Sequence, residues 1–114
     1  MQFLILIPYL GNQFLVPLRR KVIENIIVNM PSWDYFFYRT ANGDEIDLVL
    51  KNGNQIITIA CKTSDAPKVA KGFYRSLEFI KPNKIFIIAP TNDTYKIAEN
   101  ITVTGLANFI NLKL

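Results

Sequence analysis

Residues 34–62 read DYFFYRTANGDEIDLVLKNGNQIITIACK. Two Asn-Gly pairs, at 42–43 and 52–53, divide this stretch into three apolar runs. Asn-Gly between runs rich in aromatic and β-branched residues is the strongest short-range hairpin signal, because glycine tolerates the positive φ that tight turns demand. The runs 34–40, 45–51 and 55–62 are therefore expected to form an antiparallel meander of three strands.

On the N-terminal side, residues 18–30 (LRRKVIENIIVNM) place Val22, Ile23, Ile26, Ile27 and Met30 on one helical face. Pro17 suits the first turn of that helix, and Pro31 ends it. On the C-terminal side, Val69, Phe73, Leu77 and Ile80 recur at helical spacing within 68–80, and Pro82-Asn83 breaks the pattern. Ser64 or Asp65 supplies a candidate cap for this second helix. Residues 84–89 (KIFIIA) form a continuous apolar run, as expected of a strand buried on both faces. A weaker strand at 101–104 and a short helix at 105–112 close the chain. The order is α, three strands, α, strand, with an added strand and helix. It predicts an α/β domain with a mixed central sheet flanked by helices. The whole of 1–114 reads as one domain, with an apolar N-terminal extension at 1–17 and the core at 18–112.

Composition narrows the chemistry. The chain has 114 residues, no His and one Cys. Ser-His-Asp and Cys-His catalysis are excluded, as are His-ligated metals, an internal disulfide and a Cys-rich zinc site. No GxxxxGK[ST] loop is present, so the chain is not itself a P-loop ATPase. The net charge of +4 and pI of about 9.3 are compatible with a nucleic-acid partner and equally with simple solubility. The opening MQFLILIP lacks the basic region and cleavage site of a signal peptide and is far short of a membrane span. It is expected to be a buried strand or a docking segment, in a cytoplasmic protein with Cys61 reduced.

Two polar residues interrupt the apolar strands. Alternation puts Glu45, Asp47 and Val49 on one face, opposite Ile46, Leu48 and Leu50. It likewise groups Ile56, Thr58, Ala60 and Lys62. Strands in register would bring Asp47 and Lys62 together. A carboxylate and an ammonium set in a sheet cost desolvation unless they are paired or used. Spacing alone leaves open a partly buried ion pair, two strand-end charges in solvent, or a functional site.

Three segments carry a resemblance: YRTANGDEIDLVL (38–50), ITIACKTS (57–64) and APKVAKGF (66–73). They resemble the nuclease-like domain at the C-terminus of a group of prokaryotic AAA-type ATPases, within the PD-(D/E)xK, or restriction-endonuclease-like, superfamily. The resemblance spans about 18–112 and implies a restriction-endonuclease-like αβββαβ core. In that superfamily a strand Asp, and a Glu two residues before a Lys, hold Mg²⁺ while the Lys assists the attacking water. Two hard carboxylates suit Mg²⁺, which stabilises charge developing on a phosphodiester. The resemblance assigns the catalytic positions to Asp47 (the metal-binding Asp), Lys62 (the motif Lys) and Glu24 (the helix Glu of some members).

The Glu slot holds Ala60, which has no ligand atom. The expected consequence is weak Mg²⁺ binding or none, and a loss of several orders of magnitude in rate. No cofactor is expected unless another carboxylate completes the site; Glu45 is the migrated candidate. The family domain usually follows an ATPase module, so this chain, beginning at Met1, reads as a split-off fragment or a stand-alone unit.

The reading is thus a degenerate nuclease-like domain that binds DNA. Lys68, Lys71 and Arg75, at i, i+3 and i+7, form the candidate phosphate-contacting stripe. Arg19-Arg20-Lys21 is a weaker basic run. The alternatives are a protein-interaction or oligomerisation module, with an ATPase or a second copy as partner, and an active metal-dependent nuclease. The aromatic stretch Trp33 to Tyr38 fits core filling or an interface better than base stacking. Cys61 reads as a small buried hydrophobe. No membrane partner is expected.

Overall fold

The turn glycines decide how the chain folds back. Gly43 has φ +87° and Gly53 φ +61°, the left-handed region that side chains disfavour. The computed structural model describes residues 5–8, 17–40, 43–64, 69, 71–112 and 114, with the backbone alone at 5–8, 17 and 18. Its elements run β1 (Ile5–Pro8), α1 (Pro17–Asn29), β2 (Asp34–Arg39), β3 (Glu45–Asn52), β4 (Gln55–Cys61), α2 (Lys71–Ile80), β5 (Lys84–Ile88), β6 (Thr94–Ala98), β7 (Ile101–Thr104) and α3 (Leu106–Asn111).

These strands form one mixed seven-stranded sheet in the order β1-β2-β3-β4-β5-β7-β6. β1 to β4 pair antiparallel, so the expected meander is present and β1 extends it. At its second turn Asn52 pairs with Gln55, leaving Gly53 and Asn54 as the loop. β4 pairs parallel with β5, and β5 parallel with β7. The chain crosses from β4 to β5 through α2. It reaches β7 by way of β6, an antiparallel edge strand. β6 was not among the expected strands: Tyr95 and Ile97 alternate with Thr94 and Lys96, but the pattern is only five residues long and all five are exposed.

Each face of the sheet buries its own cluster. On one side Ile23, Ile26 and Met30 of α1 and Phe109 of α3 cover Leu48, Leu50, Ile57, Ile59, Phe86 and Ile88. On the other, Phe73 of α2 covers Tyr38, Val49, Ala60, Ile85, Ile87 and Val103. β5 contributes to both clusters, as its unbroken apolar run required. Each fully buried Ile adds about 1.5–3 kcal/mol of hydrophobic stabilisation. The aromatic strand serves the core: Trp33, Phe37 and Tyr38 are buried. Tyr35 closes the C-terminus of α1, its hydroxyl 2.6 Å from the Met30 carbonyl and 3.2 Å from that of Ile27.

Strict alternation fails in β3. Phe36 faces Val49 and Tyr38 faces Ile46, so two steps along β2 span three along β3. This bulge turns Ile46 to the Val49 side of the sheet, where it packs with Tyr38 and Phe73, rather than beside Leu48 and Leu50. No helix among the described residues is long and apolar enough to cross a membrane.

Candidate functional site

Asp47 occupies the bulge. Pairing of β3 with β4 begins at Leu48 opposite Ile59, so the backbone N–H of Cys61 has no strand partner there. The Asp47 carboxylate takes that role, Oδ2 accepting from the Cys61 N–H at 2.7 Å. Its other oxygen, Oδ1, accepts from a terminal nitrogen of Arg19 at 3.5 Å. Burial is the largest influence on this group and raises its pKa; the Cys61 N–H, Arg19 and Lys62 act in the opposite sense. The same surroundings push the Cys61 thiol up to about 12, chiefly by burial, so it is a protonated, apolar-lining group and not a nucleophile.

Arg19, Gly43, Asp44, Glu45, Asp47, Ala60, Lys62, Gly72 and Phe73 line a cavity of about 290 Å³ where β3 and β4 separate. Asp47, Ala60 and Lys62 therefore lie around one space. Glu24 is not among the lining residues. It points along the exposed side of α1, accepting from Arg20 at 2.9 Å one turn away. Glu45 reaches the cavity but stands 3.9 Å from Arg39, with both side chains less than half exposed.

Two residues at this cavity escaped pattern reading as site members. Asp44 is buried and accepts two hydrogen bonds from Arg75, Nε to Oδ2 at 3.0 Å and a terminal nitrogen to Oδ1 at 2.9 Å. The bonds from Arg75 hold the Asp44 carboxyl below its ordinary pKa. Arg19 looked like one member of a solvated basic run, yet it alone of the three turns toward Asp47. Its signal was the lack of an acidic residue one turn away, since Arg20 has Glu24.

Of the stripe on α2, Arg75 is tied to Asp44 and Lys71 stands exposed in the first turn. Lys68 and the cap candidate Asp65 lie outside the described residues; Ser64 is exposed.

Asp47 is hydrogen-bonded through both oxygens, Asp44 is held by Arg75, and Ala60 contributes no oxygen. Among the described residues no three Asp, Glu or Cys side chains converge as a metal site would require.

A family model described as a domain of unknown function, DUF4143, matches residues 21–109. The chain belongs to the DUF4143 family. The match runs from the first turns of α1 into α3 and takes in Asp44, Asp47, Ala60, Lys62 and Arg75. A search of curated proteins found no match.

Proposed function

We propose that this DUF4143 domain is a PD-(D/E)xK nuclease-like module that has lost its metal site and binds the phosphate backbone of DNA without cutting it. One observation carries the reading: Ala60 faces the cavity beside Asp47 and Lys62, where the superfamily's metal-binding Glu would stand. The element order α1-β2-β3-β4-α2-β5 supports it, as does the parting of β3 and β4 at Asp47. Arg19 and Lys62 at the cavity, with Lys71 beside its lining residue Gly72, supply positive charge suited to phosphates. A prokaryotic AAA-type ATPase is the proposed partner, by the resemblance of the motif segments.

Titrating duplex DNA in the presence of Mg²⁺ at two salt concentrations, then running the product on a gel, tests the reading. Three neutralised phosphates would cut affinity about 40-fold between about 50 and about 200 mM salt. The DNA should stay intact. No binding at the lower salt refutes the nucleic-acid role. Cleavage that disappears in Asp47→Ala would instead establish an active nuclease.

The alternative of a protein-interaction module rests on a separate observation. β6 stands at the edge of the sheet, with Tyr95 and Ile97 exposed. Open edges of this kind accept a further strand. Size-exclusion measurements at micromolar concentration would reveal self-association through it.

A further inference from the structure

We propose that a second cavity, at the carboxyl ends of β4, β5 and β7, binds a small molecule with a ring-sized apolar body and one anionic group. The cavity measures about 370 Å³, within the range of about 300–1,000 Å³ typical of small-ligand sites. It shares Arg19 and Lys62 with the first cavity, so both readings draw on these two cations, but the proposal does not require that DNA bind.

Its position follows from topology. The three strands run parallel and end together. The chain leaves β4 toward α2 on one face of the sheet and leaves β7 into α3 on the other. Strand ends whose connections diverge to opposite faces leave a crevice between them, the usual ligand position in open α/β sheets. Here Val22, Ile88, Leu106 and Ala107 make apolar walls, while Arg19 and Lys62 bring two positive charges to one side. Among the described residues no Asp or Glu lines it.

Arg19 has unused bonding capacity. One terminal nitrogen meets Asp47 at the long distance of 3.5 Å, and among the described residues the buried Nε finds no acceptor. A buried guanidinium N–H without a partner is costly, and an anion held between Arg19 and Lys62 would satisfy it.

The opposite wall is preformed. The Ala89 N–H donates to the Thr104 carbonyl at 3.0 Å, and the Thr91 N–H to the Ala89 carbonyl at 2.8 Å. Asn108 Nδ2 donates to the Asn92 carbonyl at 3.0 Å. Gly105 lets this loop approach, since a Cβ there would collide with the Thr91 carbonyl oxygen. A wall pinned in this way spares a ligand the cost of ordering it.

The test is an amide-resolved NMR titration of the full chain with four probes: adenosine monophosphate, 2-naphthoate, adenosine and inorganic phosphate. At least one of the two acids should shift the amides of Ala89, Thr91 and Ala107 and bind at least tenfold more tightly than either adenosine or phosphate. Tighter binding of the monophosphate assigns a phosphate ligand; tighter binding of the naphthoate assigns a carboxylate. Ala107→Trp, which fills the cavity, should abolish the shifts. Lys62→Met should weaken binding at least tenfold, and carries the test alone if the Trp variant does not fold. Absence of shifts from both acids at millimolar concentration overturns the proposal. So does binding unchanged in folded Ala107→Trp or in Lys62→Met, or phosphate binding as tightly as the acids.

Discussion

Arg75 grips both carboxylate oxygens of Asp44, at 3.0 and 2.9 Å, and so ties α2 to the turn that leads into β3. Gly72 lies under this pair, where a Cβ would come within 2.5 Å of Asp44 Oδ1. The helix can approach only because that position has no side chain. Bidentate pairing lowers the Asp44 pKa in the folded protein. Its contribution to stability is therefore present above the ordinary pKa of 3.8 and lost as pH falls through the lowered value. Asp44→Asn is expected to lower Tm at neutral pH, with the gap to the wild type closing on acidification. Thermal melts over a pH series check this; a gap independent of pH would refute it.

The same pairing separates Arg75 from Lys71. Arg75→Ala should lower Tm with little change in the salt dependence of DNA binding. Lys71→Ala should leave Tm nearly unchanged and reduce the logarithmic salt slope by about 1. Melting curves and binding isotherms on both variants distinguish the two roles, and the reverse pattern would contradict them.

Asp47→Asn tests the cost of the buried carboxylate. A raised pKa means that the folded state holds the proton more tightly than the unfolded chain. Stability from this group is present below the ordinary pKa of 3.8 and lost as pH rises through the raised value. The amide keeps an acceptor for the Cys61 N–H and carries no charge. A gain of about 1 kcal/mol at neutral pH is expected, shrinking in acid, as measured by urea unfolding. Asp47→Ala leaves that N–H unpaired and should cost about 1–3 kcal/mol instead.

Gly105 has an ordinary φ of −77°, so its replacement is a purely steric test. The Cβ of alanine would collide with the Thr91 carbonyl oxygen, a backbone atom that cannot simply rotate away. Gly105→Ala should destabilise the fold by about 1–3 kcal/mol in denaturant titration. It should also broaden or shift the amide resonances of Thr91 and Asn92.

Cys61 is expected to be inert in the folded protein. Burial pushes its thiol to about 12, and only the thiolate attacks. A disulfide-exchange reagent at mildly alkaline pH should label it only at the rate of unfolding, and promptly once denaturant is added. Fast labelling of the native chain would show that β4 opens.

Much of this architecture is local chemistry and was legible along the chain. Asn42-Gly43 and Asn52-Gly53 specify reversals because glycine alone takes positive φ without strain. The spacing of Ile23, Ile26 and Met30 specifies a helix with one apolar face, and the run from Ile85 to Ile88 a strand covered on both sides. Edge strand β6 was not read from the sequence: Tyr95 and Ile97 alternate with Thr94 and Lys96, but over only five residues, all of them exposed in the structure.

The site divides in the same way. Strand periodicity raised a meeting of Asp47 and Lys62 as one of several possibilities, and the substitution at Ala60 is plain in the residues themselves; that they share one space, where β3 and β4 cease to pair, is shown by the structure. The bulge in β3 was not, since an extra residue is defined only against the partner strand, and it sends Ile46 to the opposite face. Nor was the choice of cation for each carboxylate. Arg19 and Asp47 are 28 residues apart, and Arg75 and Asp44 are 31 apart. Periodicity describes which way a side chain leaves its own element. Which distant charge it meets depends on how helices pack across the sheet, and only the tertiary structure decided that.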